Sequence, residues 1–359
     1  MSDEYFTTQF GNKIPIREGY RKGCPPPFDP SFYDWSEPQP MECDFGIFSD
    51  IFEFSIFTNW LDFITQNRIQ HNKLMDIGGG CGLIARLFKA SGKAKHVSCL
   101  EKANAADSLP LDRLIVILHS IKRAKAEIES NAHNNTNSIA RLVLNIFQTC
   151  QSLYPYPIPS NIWNINPSAS FELDEYLHTD LYTLNRHGYY DCLTMFSSLD
   201  HFSPSALFEK AHYLLCDGGF LYLWHVHWWW LNNPPSVFGD FPYLCQRLTR
   251  YDVERYFDES PYDTLSAMKA YDYYHCGEGG YTLNEYINMA YNAGLTALHI
   301  HRLIPPNGIL PTSMANWRFI GDHSISTLRE VLKDIHCFKP DVTIQDLITH
   351  SYFIVLRKN

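Results

Sequence analysis

The chain has 359 residues, enough for one enlarged domain, and with 45% hydrophobic and 15% aromatic residues it can bury a sizeable core. Its 29 Lys and Arg against 39 Asp and Glu give a formal charge of −10, which argues against nucleic acid as a partner, because that affinity rests on clustered cations neutralising phosphates. No stretch of about 18 apolar residues is present to cross a bilayer, the acidic Met1-Ser2-Asp3-Glu4 is unlike a signal peptide, and the 10 cysteines form no Cys-x-x-Cys pair, so a cytoplasmic protein with reduced thiols and no membrane partner is expected.

Residues 1–45, rich in aromatics and proline around Cys24-Pro25-Pro26-Pro27-Phe28, read as an irregular arm. From Phe45 to Arg68, apolar residues at helical spacing (Phe48, Ile51, Phe52, Phe57, Trp60, Leu61, Ile64) predict a helix packed on a sheet, so that 1–72 forms an arm and helical cover. The run from Lys73 to Ala85 then joins a short apolar strand, Leu74-Met75-Asp76-Ile77, to the glycine turn Gly78-Gly79-Gly80-Cys81-Gly82 and a helix beginning Leu83-Ile84-Ala85. Glycines at 78, 80 and 82 let the main chain turn sharply and leave its N–H groups open to a ligand. No Lys-Ser or Lys-Thr follows the last glycine, which excludes a phosphate-binding P-loop. The dinucleotide pattern fits only from Gly80 to Ala85, leaving Gly78 and Asp76 unexplained, and an NAD-dependent oxidoreductase is the weaker alternative. Cys81 reads as a small filler.

The strand His96 to Glu101 ends in a carboxylate. From there to the next recognisable strand the chain spends far more than the roughly 20 to 30 residues that one helix and a strand need. Leu111 to Ser130 and Ile139 to Leu153 both have helical periodicity, so a helical insertion is expected over about 104–165, serving as a lid, a homodimer face or filling. Tyr189 to Phe202 reads as a strand and its loop, Ser203-Pro204 opens a helix to Leu215, and Asp217-Gly218-Gly219 turns into the strand Phe220 to Leu223. Residues 225–280 form an aromatic-rich, acidic insertion suited to packing or to a planar or cationic acceptor. Thr282 to Ala293 predicts a helix, Thr296 to Leu303 and Ser351 to Arg357 two closing strands.

The spacing Asp76-x-Gly78-x-Gly80-x-Gly82, with Glu101 after the next strand and the ordered strands that follow, resembles the class I, Rossmann-like S-adenosylmethionine-dependent methyltransferases over most of residues 73–359. The resemblance implies an α/β fold with a seven-stranded, mostly parallel sheet closed by an antiparallel strand, with helices on both faces. It implies S-adenosyl-L-methionine as cofactor, with Asp76, Gly78, Gly79, Gly80 and Gly82 on its methionine side and Glu101 on the ribose. Asp180, with Asp174 behind it, stands for the acid at the adenine, and Phe196 and Ser197 line the end of the fourth strand. A small-molecule acceptor is implied, with a base drawn from Asp200, His201, His225 and His227 at the ends of the fourth and fifth strands. The His225-x-His227 and His299-x-His301 spacings invite a metal, but no third ligand or carboxylate pair accompanies them, and no metal is expected. The alternative from another class is a binding or regulatory protein on the same fold, without turnover.

Overall fold

The computed structural model describes residues 4–16, 57, 60–61, 63–102, 172–196, 198–199, 202–226, 229, 244–258, 280–303, 325–349 and 351–359. The expected helical insertion over 104–165, most of the aromatic-rich insertion, and Ser197, Asp200, His201 and His227 lie outside these residues.

Seven strands form the central sheet: β3 (His71–Ile77), β4 (Ala94–Glu101), β5 (Glu175–His178), β6 (Tyr190–Phe196), β7 (Leu215–Val226), β8 (Leu295–Leu303) and β9 (Ser351–Lys358). Their order across the sheet is β5-β4-β3-β6-β7-β9-β8, with β9 antiparallel to both neighbours and the β3–β4, β3–β6, β4–β5 and β6–β7 pairs parallel. This is the Rossmann-like methyltransferase sheet expected from the sequence. Strands β3, β4 and β6 each carry a run of buried residues, 74–77, 97–100 and 192–195, because both faces are covered there, as parallel sheets require.

One face is covered by helix α1 (Leu83–Ala90) and by the helical residues among 57–66, where Trp60 and Phe88 pack with Tyr222. The other holds a core of Leu193, Met195, Leu221, Leu223 and Ile354 under helices α2 (Pro204–Leu214) and Leu283–Asn292. The latter begins at a reciprocal Thr282–Glu285 capping box, which satisfies two orphan N–H groups. Between these lie α3 (Leu244–Arg247) and α4 (Arg250–Asp258), so Leu283–Asn292 is α5; α6 (Ile325–Ile335) and α7 (Ile344–Ile348) precede β9. No helix among the described residues is long and apolar enough to cross a membrane.

Two elements differ from the sequence reading. The expected turn at Asp217-Gly218-Gly219 is an irregularity inside β7: Tyr190 pairs with Leu215 and Cys192 with Phe220, and Gly218 takes a positive φ of 76° to absorb the extra residues. The start of the expected irregular arm is an ordered hairpin of β1 (Glu4–Thr7) and β2 (Lys13–Ile16). Phe6 and Ile14, cross-strand partners, are both buried, and Gly11 supplies the left-handed turn. The hairpin is anchored to α4, where the buried Asp252 carboxylate accepts from the Gln9 N–H at 2.7 Å and the Phe6 ring meets Tyr256 edge-on. The period-two alternation around Gly11 was the available signal.

Candidate active site at the carboxyl end of the sheet

From β3 the chain crosses to β4 on one side and later returns to β6 on the other, so the strand order reverses beside β3. In doubly wound sheets the ligand crevice lies outside the carboxyl ends at that reversal, and the glycine turn occupies that place. Gly78, Gly80 and Gly82 all have left-handed φ, 64°, 54° and 75°, which a side chain at any of them would strain. Gly79 is required for a different reason. A Cβ there would lie 2.3 Å from the Asp76 carboxylate, so the turn is pressed directly onto that side chain. At Gly80, by contrast, an added Cβ would meet no atom of the described residues within 4 Å, and this part of the turn opens outward.

The turn is held from beneath and from the side. Glu101, at the end of β4, accepts the Gly80 N–H at 3.0 Å; the Tyr176 hydroxyl donates to the Gly80 carbonyl at 3.0 Å, and the Cys99 thiol reaches the same oxygen at 3.6 Å. On the β6 side the Ser198 hydroxyl donates to the Ile77 carbonyl at 3.2 Å and fills the space a side chain at Gly78 would need. Thr194, Tyr176 and Ser198 were not singled out in the sequence. Thr194 could have been found, because it interrupts the apolar run Cys192 to Phe196 and the β3–β6 register sets it opposite Asp76.

Asp76 is fully buried. One carboxylate oxygen accepts from Thr194 Oγ1 at 2.7 Å and the other has no hydrogen-bond partner. Burial pushes its pKa up to about 7; the Thr194 bond opposes this, the nearby Glu101 charge adds to it, and the backbone N–H of Ala85 in the first turn of α1 favours the ionised form.

The remaining expected site residues sort by their place on the sheet. Phe196, the last residue of β6, stacks on Trp224 of β7 at 4.7 Å and 12°. Asp180 lies just past the carboxyl end of β5, caps the short 3-10 turn Leu181–Thr183 by accepting from the Tyr182 N–H at 2.9 Å, and pairs with Lys102 at 3.1 Å. Both contacts hold its carboxyl below the usual range, the Tyr182 N–H first. Asp174 is at the amino end of β5, bonded to the Val97 N–H and to Lys89 in the last turn of α1, away from the glycine turn. Of the two acids, only Asp180 is at the carboxyl edge.

β7 runs through His225 and ends at Val226, and His227 lies outside the described residues. His225 is 6% exposed, on the α5 face, with its ring 6.0 Å from Tyr286 and 5.9 Å from Tyr352. His299 and His301 lie on the opposite face, since they pair in register with Val355 and Phe353 while His225 pairs with Tyr352. His225 therefore does not converge with His299 and His301. Among the described residues no cluster of three His, Cys, Asp or Glu side chains could hold a metal ion.

No protein-family profile matches the chain, and no curated protein sequence matches it. Solved structures of similar shape include the geranyl diphosphate C-methyltransferase of Streptomyces coelicolor A3(2), in complex with Mg2+, geranyl diphosphate and S-adenosyl-L-homocysteine, at 12% identity and a TM-score of 0.42 over 94% of this chain and 90% of that one. An S-adenosylmethionine dependent methyltransferase from Mesorhizobium loti is 13% identical, with a TM-score of 0.35 over 81% and 92%. The [4+2]-cyclase SpnF is 11% identical, with a TM-score of 0.38 over 84% and 80%. Likeness at this level carries nothing about the chemistry of this chain.

Proposed function

We propose that this protein transfers the methyl group of S-adenosyl-L-methionine to a small-molecule acceptor. One arrangement carries the reading: a triple-glycine turn at the reversal of strand order, seated on a buried aspartate and flanked by the terminal carboxylate of β4. Three observations fit that cofactor. The turn is open at Gly80, Asp76 keeps a buried oxygen without a hydrogen-bond partner beneath it, and Glu101 is placed at the strand end where such folds hold ribose hydroxyls. The backbone of Gly78 to Gly82 would hold the methionine side, Glu101 the ribose and Asp180 the adenine edge, with Phe196 and Ser197 lining the end of β6.

Bound there, the cofactor supplies a sulfonium methyl group for in-line substitution, in which alignment within about 3 to 3.5 Å provides much of the rate. The protein's own tasks are then to hold that line, exclude water and accept a proton from a hydroxyl or ammonium acceptor. His225 is the described candidate for the proton; His227, His201 and Asp200 are the others. Trp229, which is buried and donates to the Gly280 carbonyl at 3.1 Å, and the edge-on rings of Tyr281 and Tyr286 supply an aromatic wall near His225 that suits a planar or cationic acceptor. A cytoplasmic setting, no nucleic-acid partner, on the charge balance, and a homodimer formed through an insertion complete the proposal.

Parallel calorimetric titration with S-adenosylmethionine, S-adenosylhomocysteine and NAD tests it. Micromolar binding of both sulfur compounds, lost in Asp76→Ala and Glu101→Ala proteins that remain folded, is expected. Binding of NAD alone would overturn the reading, and retained binding in both variants would remove those two residues from it.

A further inference from the structure

We propose that Cys81 and Cys99 are a redox pair whose disulfide locks the glycine turn and shuts the site beneath it. The closing of the site rests on the cofactor reading above; the disulfide and the locking of the turn do not. Both residues are thiols in the structure. Cys81 is inside the turn and half-buried, whereas Cys99 is in the middle of β4 and buried. The turn arches over Cys99, closed by a hydrogen bond from the Gly82 N–H to the Gly79 carbonyl at 2.7 Å. Cys99 Sγ lies 3.6 Å from the Gly80 carbonyl oxygen, which belongs to the peptide that joins Gly80 to Cys81. Its sulfur would be 3.0 Å from a Cβ on Gly79 and its Cβ 3.1 Å from a Cβ on Gly82. The buried thiol thus touches residues on both sides of Cys81. A disulfide needs Cβ atoms about 3.5 to 4.5 Å apart, so the Gly80–Cys81 peptide must turn to bring the Cys81 side chain onto Cys99.

The two thiols have opposite environments, as sequential oxidation requires. Cys81, two residues before α1, is the half-buried member of the pair and the one an oxidant meets first. Cys99 stays protonated, because burial pushes its thiol well above the usual range and the neighbouring Asp76 and Cys81 add to that shift. With a peroxide as oxidant, the Cys81 thiolate attacks one peroxide oxygen, the O–O bond breaks, and a sulfenic acid and hydroxide form. Cys99 sulfur then attacks Cys81 sulfur; the S–O bond breaks, and the Cys99 proton leaves with that oxygen as water. A dithiol reductant reverses the bond.

The new bond would tie the turn to β4 and limit the motions that expose its N–H groups. The test uses full-length protein treated with stoichiometric hydrogen peroxide, mapped by mass spectrometry of a non-reducing digest, with amide exchange measured over residues 78–83. A Cys81–Cys99 linked peptide, absent from Cys81→Ser and Cys99→Ser proteins, with exchange of the turn slowed at least tenfold and restored by dithiothreitol, is expected. Accumulation of Cys81 sulfinic acid beside a free Cys99, or linkage of Cys81 to a different cysteine, would overturn the pair. Unchanged exchange in the linked protein would overturn the lock. Titration of the reduced and oxidised forms with S-adenosylmethionine should show at least a tenfold loss on oxidation; equal affinity would overturn the closing of the site. Absence of binding to the reduced form would instead count against the cofactor reading and leave the disulfide map to decide the pair.

Discussion

Asp76→Asn removes the charge of the carboxylate under the glycine turn while keeping its shape and its acceptor for Thr194. The native carboxyl has a pKa of about 7 against 3.8 for the ordinary group. The folded protein therefore binds this proton more tightly than the unfolded chain, and the stability linked to it is present in acid and lost as pH rises from about 4 through 7. At about 1.4 kcal/mol per pKa unit the full span is worth about 4 kcal/mol, of which about 2.5 kcal/mol falls between pH 5 and pH 8. Urea unfolding of both proteins at those two pH values isolates it, since every other titrating group is shared. The wild-type protein should lose about 2 to 3 kcal/mol more than Asp76→Asn on going from pH 5 to pH 8. Parallel losses in the two proteins would refute the buried, singly bonded carboxylate and with it the seat of the turn.

Gly79→Ala forces a methyl group against the same carboxylate at 2.3 Å and should cost about 1 to 3 kcal/mol by overpacking, read as a lowered melting temperature; an unchanged melt would mean the turn is not pressed onto Asp76. Glu101→Gln keeps an acceptor for the Gly80 N–H but loses the charge, so S-adenosylmethionine affinity should fall about tenfold to a hundredfold with little change in melting temperature; undiminished affinity would take the carboxylate out of the site. At the amino end of β3, burial lowers the His71 pKa from 6.5 to about 4 against the pull of Asp191. Below 6.5 the unfolded chain takes up a proton that native His71 refuses, so stability is lost as pH falls from 6.5 toward 4, by about 3 kcal/mol in all. His71→Gln should flatten that acid limb in urea midpoints, and an unaltered limb would contradict the buried neutral imidazole.

The parts of the fold legible in the sequence were those where local pattern and global place agree. The strand–turn–helix at 71–90 announces itself, because the special φ values of the turn demand glycine at 78, 80 and 82. The positions of Asp180 and Asp174 relative to the site were not legible, since they depend on which end of β5 each occupies, a matter of three-dimensional register. Tyr176 was hidden for the same reason: nothing near it in the chain says that its hydroxyl reaches across to Gly80. The hairpin at residues 4–16 was missed because its buried face is completed by Asp252 and Tyr256, far away in sequence.

Strand β9 lies between β7 and β8 and pairs with both. During synthesis at about 5 to 20 residues per second, on the order of ten seconds separate the appearance of β7 from that of β9. For that interval β7 carries a row of unpaired backbone groups beside apolar side chains, a template for pairing with another nascent chain. The methyltransferase-like half from β3 to β7 can assemble early, but its flank stays open until residues 351–358 have emerged. Ribosome-proximal chaperones, rather than the stability of the finished protein, should therefore govern how much of this chain reaches the folded state.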